Sequence, residues 1–168
     1  MKRIKLLLPL SVFFILFCSA IKPTSTLEKI SSLEVKGYIF NNDEKVNGAL
    51  VKLYQKNKLI NQTNSKKGKF SFTLLSGARY TIEVIKFGSV TEIIQVSTVE
   101  KTQFVGKYLY EFRIDLMNVS RFENVDMSLL DFPTAIIKYD KNEGEYLHDA
   151  QYSIQLKADL KALENKAK

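Results

Sequence analysis

From residue 33 onward, apolar and polar residues alternate in short runs broken by glycine, asparagine and lysine. The first run is Leu33-Glu34-Val35-Lys36-Gly37-Tyr38-Ile39-Phe40, and a period of two marks a strand with one buried face. Residues 41–44 supply a turn. A second strand covers 49–54, with Ala49, Val51 and Leu53 on one face, and a short third covers 59–63. The turn at 64–68 is the clearest in the chain, because Gly68 can take a positive φ and Asn64 can hydrogen-bond the backbone that follows it. Phe70, Phe72 and Leu74 then alternate inward, residues 76–78 turn the chain, and Tyr80, Ile82 and Val84 form the next strand. Gly88 turns it again and residues 90–96 run back. In 109–118, Phe112, Ile114 and Leu116 alternate with Arg113 and Asp115. Seven strands with turns at this spacing predict an all-β, antiparallel β-sandwich over residues 33–118.

The pattern changes after residue 118. Residues 119–130 are less periodic and read as a loop or a short helical turn. Residues 133–139, a turn at 140–145 and residues 146–154 then read as a β-hairpin appended to the sandwich, so that 119–154 form a loop and hairpin extension. Leu156, Leu160 and Leu163 recur at helical spacing among Lys157, Lys161, Glu164 and Lys166. They predict a short terminal helix or tail over 155–168.

The beginning of the chain addresses it out of the cytoplasm. Lys2, Arg3 and Lys5 form a positive segment, residues 6–17 are apolar apart from Pro9 and Ser11, and the small residues Ser19 and Ala20 follow. This is a secretory signal peptide over residues 1–20 with cleavage expected after Ala20, and it is too short for a spanning helix of roughly 20 apolar residues. Cys18 is the only cysteine among 168 residues. It is either a small residue beside the cleavage site or a lipidated first residue, since residues 15–18 resemble a bacterial lipoprotein signal; bulky Phe17 before it favours ordinary cleavage. Membrane association is expected only if Cys18 is lipidated, and no disulfide can form within the mature chain. Residues 21–32, with Pro23, Thr24, Ser25 and Thr26, read as a tether.

Removing the leader takes away three of the 25 basic residues and none of the 18 acidic ones, so the formal charge falls from +7 to +4. Lys56, Lys58, Lys66, Lys67 and Lys69 cluster at turns, where they keep an exposed sheet soluble and discourage edge pairing. An anionic partner would suit them too, but export takes the chain away from nucleic acid, and none is expected as a partner.

Four segments carry a resemblance: Val35-Lys36-Gly37, Val46-Asn47-Gly48-Ala49-Leu50-Val51-Lys52-Leu53, Thr63-Asn64-Ser65-Lys66-Lys67-Gly68-Lys69-Phe70 and Tyr80-Thr81-Ile82-Glu83-Val84. In this order and spacing they resemble the carboxypeptidase regulatory-like family of exported bacterial proteins. The resemblance implies a seven-stranded transthyretin-like sandwich acting as an accessory module. Three positions depart from the family pattern: Asn64 stands for the usual aspartate, Lys66-Lys67 lengthens the turn, and Ser89 replaces an aromatic after Gly88. Residues 132–140 also resemble the tails of exported envelope proteins that carry Phe-Pro-x-Ala-x-Ile-x-Tyr-Asp.

Candidate chemistry is sparse. His148 is the only histidine, so neither a two-histidine metal site nor a triad with a positioned base can be assembled around a second one. No catalytic residue and no cofactor is assigned. Asp140, Asn142 and Glu145 around Gly144 resemble the start of a calcium loop, but Gln151 stands where the closing carboxylate belongs, and a plain β-turn explains the same residues. Tyr139, Tyr146 and Tyr152 are candidates for a contact surface if they share the outer face of the hairpin, the alternative being a second small core. The expectation is a noncatalytic interaction or assembly module of the bacterial cell envelope, in the periplasm or at the outer membrane or cell surface, with an envelope protein or glycan as partner. The alternative is a small-ligand or carbohydrate-binding envelope protein.

Overall fold

A computed structural model describes residues 31–100, 102, 105–126 and 128–167. The signal peptide, Cys18 and most of the tether lie outside the described residues. The described chain forms two stacked sheets and one C-terminal helix. Its strands are β1 (Ser32–Asn41), β2 (Glu44–Lys45), β3 (Leu50–Gln55), β4 (Lys58–Asn64), β5 (Lys69–Leu75), β6 (Arg79–Ile85), β7 (Glu92–Ser97), β8 (Lys107–Asp115), β9 (Ala135–Asp140) and β10 (Glu145–His148), and the helix is α1 (Ala150–Ala167).

In sheet A, β1 lies between β5 and β8, and β2 adds a two-residue ladder at its far end. Sheet B runs β10-β9-β7-β6-β3-β4. The alternating residues of β1, β3, β5, β6 and β8 point into the space between the sheets, where Leu33, Val35, Val51, Leu74, Ile82 and Val84 are wholly buried. Burying such side chains stabilises the fold by roughly 1.5–3 kcal/mol each. Gly37 is required at the middle of β1, since a Cβ there would overlap the Phe70 ring. Asn42 and Asp43 take φ of 48° and 63° between β1 and β2, and Lys56 and Asn57 take 49° and 60° between β3 and β4, the left-handed pairs that two-residue hairpin turns need.

The structure corrects three expectations. The sandwich is not wholly antiparallel: β8 pairs parallel with β1, and β9 parallel with β7. Residues 135–148 are not an appended hairpin either, because β9 and β10 complete sheet B and place Ile137, Tyr139 and Tyr146 in the main core. The second arm of that hairpin ends at His148. Asp149 stops it by capping the helix, its carboxylate accepting from the Tyr152 N–H at 3.1 Å and its carbonyl from the Ser153 N–H at 3.0 Å. Such a cap satisfies donors that the first turn leaves free. The helix is therefore 18 residues long, and its Leu160 and Leu163 pack on a second core of Val90, Phe122 and Leu130.

Candidate functional site

The C-terminal part of the described chain forms a seam between the sheets. β8 ends sheet A and β10 ends sheet B, and aromatic rings close the gap between them. Tyr108, Tyr139 and Tyr146 meet edge to face with centroids 5.4–5.7 Å apart, the arrangement favoured by ring quadrupoles. Burial, with Tyr108 adding to it, pushes the Tyr146 hydroxyl up to about 12. Tyr139 and Tyr146 are only 4% exposed, so they belong to the core and do not offer the outer contact face considered for them. Tyr152 is half-buried and separate from them, its hydroxyl donating to the Pro133 carbonyl at 2.5 Å.

His148 continues the seam. Although part of the residue reaches solvent, its ring lies against Tyr110 and Phe112, and its Nδ1 shares a hydrogen bond with the Tyr110 hydroxyl. Burial, reinforced by the Lys157 ammonium, holds its pKa below the ordinary value. The neighbouring Asp149 turns away to accept from Lys138 Nζ at 2.8 Å and to cap α1. His148 and Asp149 are thus divided between two structural tasks.

The calcium-loop residues are also occupied locally. Asp140 Oδ1 accepts from the Asn142 and Glu143 backbone N–H groups at 2.7 and 3.2 Å, so it closes the β9–β10 turn. Among the described residues, no group of three or more His, Cys, Asp or Glu side chains is placed to hold a metal ion.

Beneath α1, between β8 and β7–β9, lies a groove of about 700 Å³, within the roughly 300–1,000 Å³ usual for small-molecule sites. Ile94, Leu116, Leu156 and Leu160 give it apolar walls. Glu92 stands on its wall, 5% exposed. Burial raises the carboxyl's pKa, the Thr134 hydroxyl lowers it, and the nearby Asp115 charge raises it further. The sequence reading passed over Glu92. Its signal was its register, two residues before Ile94 and four before Val96 in a strand whose inner face is otherwise apolar. At the rim, Arg113 donates to Asp115 and Asp43 at 2.5–2.9 Å, Arg121 pairs with Glu164, and Lys157 lies nearby.

The far end of sheet B is different in kind. Along β4 every residue is exposed except the half-buried Thr63, and Leu59 and Ile60 keep 43% and 47% of their surface in solvent. After Lys58 the strand carries no charge: it reads Leu59-Ile60-Asn61-Gln62-Thr63-Asn64. Among the described residues, no strand lies beside its outer row of backbone groups. Edges of this kind are normally blunted with charge, proline or shortness.

The fold and these surfaces define a two-sheet β-sandwich with a helix-covered groove at one end and an open strand at the other. No family model matches the chain, and no curated protein sequence matches it. Among solved structures it is similar to a membrane-associated protein of unknown function from Bacteroides fragilis NCTC 9343, at 14% identity over 54% of this chain and 29% of that one, with a TM-score of 0.37. It is also similar to catechol 1,2-dioxygenase from Acinetobacter sp. ADP1, at 8% identity over 56% of this chain and 55% of that one, with a TM-score of 0.37. A third is the dioxygenase domain of a carbohydrate-binding fusion protein from Streptomyces sp. SirexAA-E, at 13% identity over 55% of this chain and 84% of that domain, with a TM-score of 0.35. The chain spans under a third of the first protein and about half of the second. At these TM-scores the likenesses carry no argument about fold type or activity.

Proposed function

We propose that the chain is a noncatalytic, exported module of the bacterial cell envelope, a transthyretin-like sandwich of the carboxypeptidase regulatory-like kind, which docks on an envelope protein in the periplasm or at the outer membrane. The observation that carries this reading is β4: seven residues of open edge, uncharged after Lys58, with Leu59 and Ile60 in solvent. An extended segment of the partner would pair with β4 through main-chain hydrogen bonds and set apolar residues on Leu59 and Ile60, the strand-addition mode of recognition. The noncatalytic part of the reading draws on His148, whose Nδ1 meets the Tyr110 hydroxyl instead of a carboxylate or a nucleophile. Export itself rests on the signal-peptide pattern of residues 1–20.

Photocrosslinking in intact cells tests the reading. A photoreactive residue at Gln62 on β4 should trap one abundant envelope protein, whereas the same residue at Glu111 on the charged outer face of β8 should not, and Ile60→Lys should abolish the adduct. Equal capture from both positions, or an adduct that survives Ile60→Lys, would remove β4 from the argument. A second reading, the small-ligand-binding envelope protein, is favoured by the groove under α1.

A further inference from the structure

The groove lies toward the opposite end of sheet B from β4, and its chemistry is that of a separate site. Resting on the small-ligand reading and independent of the docking edge, we propose that it binds an amphipathic organic amine, with the ammonium on Glu92 and the apolar body along Leu116, Leu156 and Leu160.

The argument begins with what Glu92 lacks. Glu92 is 5% exposed and lines the groove. Among the described residues it forms no ion pair, because Arg113 is taken by Asp115 and Asp43 and Arg121 by Glu164. The polar group beside it is the Thr134 hydroxyl. That hydroxyl has one proton, and it already donates to the Ile93 carbonyl at 3.1 Å. As a carboxylate, Glu92 must compete with Ile93 for that proton. A buried carboxylate without a cation or enough donors is costly, and most strands avoid it by placing an apolar residue there. A ligand that brings its own ammonium supplies the charge and up to three donors.

The surroundings choose between ligand classes. An anionic head would be set against Glu92 and Asp115, whose charges already oppose each other. Lys157 lines the same groove, and its charge acts on His148. Arg113 stays engaged with Asp115 and Asp43, so Glu92 is the groove carboxylate left without an ion pair among the described residues. The apolar part of the wall combines aliphatic side chains with the Phe112 ring, and the space is large enough for a ring or a short chain as well as the head. A fully polar cation such as free ammonium would leave those walls in water and lose their contribution.

Calorimetric titration of the full chain with three probes of one skeleton tests this: 4-phenylbutylamine, 4-phenylbutanol and 4-phenylbutyrate at neutral pH. The amine should bind at least tenfold more tightly than the alcohol, and the acid should show no binding. Glu92→Gln, which keeps the shape and removes the charge, should weaken the amine at least tenfold and leave the alcohol unchanged. Ser153→Trp, which adds bulk to a lining residue on α1, should abolish binding of both, and it serves in place of Glu92→Gln if that variant does not fold. Ile60→Lys should change none of these affinities, so a failed β4 docking and a failed groove give different results. Binding of the acid as tight as the amine, an amine affinity indifferent to Glu92→Gln, or no amine binding at all would overturn the proposal.

Discussion

Sheet B is finished in opposite ways at its two ends. At one end, β9 and β10 are short, the rings of Tyr108, Tyr139 and Tyr146 interlock across the gap to sheet A, and α1 is anchored over the groove by Asp149. At the other, β4 is exposed along its length except at the half-buried Thr63. The outer row of β8 is guarded by Lys107, Glu111, Arg113 and Asp115, whereas β4 has none of these guards after its first residue. A protein that spends aromatic residues and a helix to close one edge, yet leaves the other uncharged, treats the two edges as different things: one is structure and the other is available for pairing.

The largest test of that contrast is at the closed end. Tyr146→Ala removes a ring that is 4% exposed and touches both Tyr108 and Tyr139. Losses of this kind cost about 3–5 kcal/mol, so a denaturant titration should show a clear drop in the unfolding midpoint. A near-normal midpoint would mean that the seam is not part of the cooperative core. Asp149→Ala should cost less, about 1 kcal/mol for a lost helix cap, because its ion pair with half-exposed Lys138 adds little in water. Helical signal should fall first, read by circular dichroism during a thermal melt; an unchanged melt would mean that α1 holds without its cap.

Much of this arrangement was legible in the alternation of residues. β1, β3, β5, β6 and β8 follow from period two because each has one face in the core and one outside. The place of β9 was not legible, since its parallel pairing with β7 joins residues about forty apart and leaves no local mark. Residues 146–154 misled for a definite reason: Tyr146, His148, Tyr152 and Ile154 sit at even positions as a strand would place them. Asp149 outweighs that pattern with a cap that only the three-dimensional start of α1 reveals. For the candidate groove, Glu92 was readable in principle, as a carboxylate at an inward position of β7, but its surroundings depend on Thr134, just before β9, which the appended-hairpin reading had put elsewhere.

Glu92 also provides a smaller effect with a definite sign. Burial raises its pKa above the ordinary 4.5, so the fold prefers the neutral acid. Its stabilising contribution is complete below about 4.5 and is lost as pH rises through the raised value. Glu92→Gln removes that dependence: relative to the variant, the parent protein should gain stability on acidification from pH 7 through this window, and the variant should melt higher at pH 7. Asp149 runs the other way, since Lys138 holds its pKa below the ordinary 3.8 and its contribution is lost only in stronger acid. Melting curves at pH 7 and pH 5 that shift identically for parent and Glu92→Gln would show that the groove carboxyl is not buried in solution.

The smallest stability effect belongs to the open end, and its smallness is the point. Ile60 is 47% exposed on an edge strand, at the irregularity where β3 and β4 change register between Leu53 and Tyr54. It contributes little to the core, so Ile60→Lys should change stability by no more than about 0.5 kcal/mol. A charge there guards the edge against strand addition in the way natural edges are guarded, and the partner captured through Gln62 should disappear while the melting curve stays put. If Ile60→Lys instead destabilised the fold as Tyr146→Ala does, β4 would be a structural edge like β10, and the difference between the two ends of the sheet would have no functional meaning.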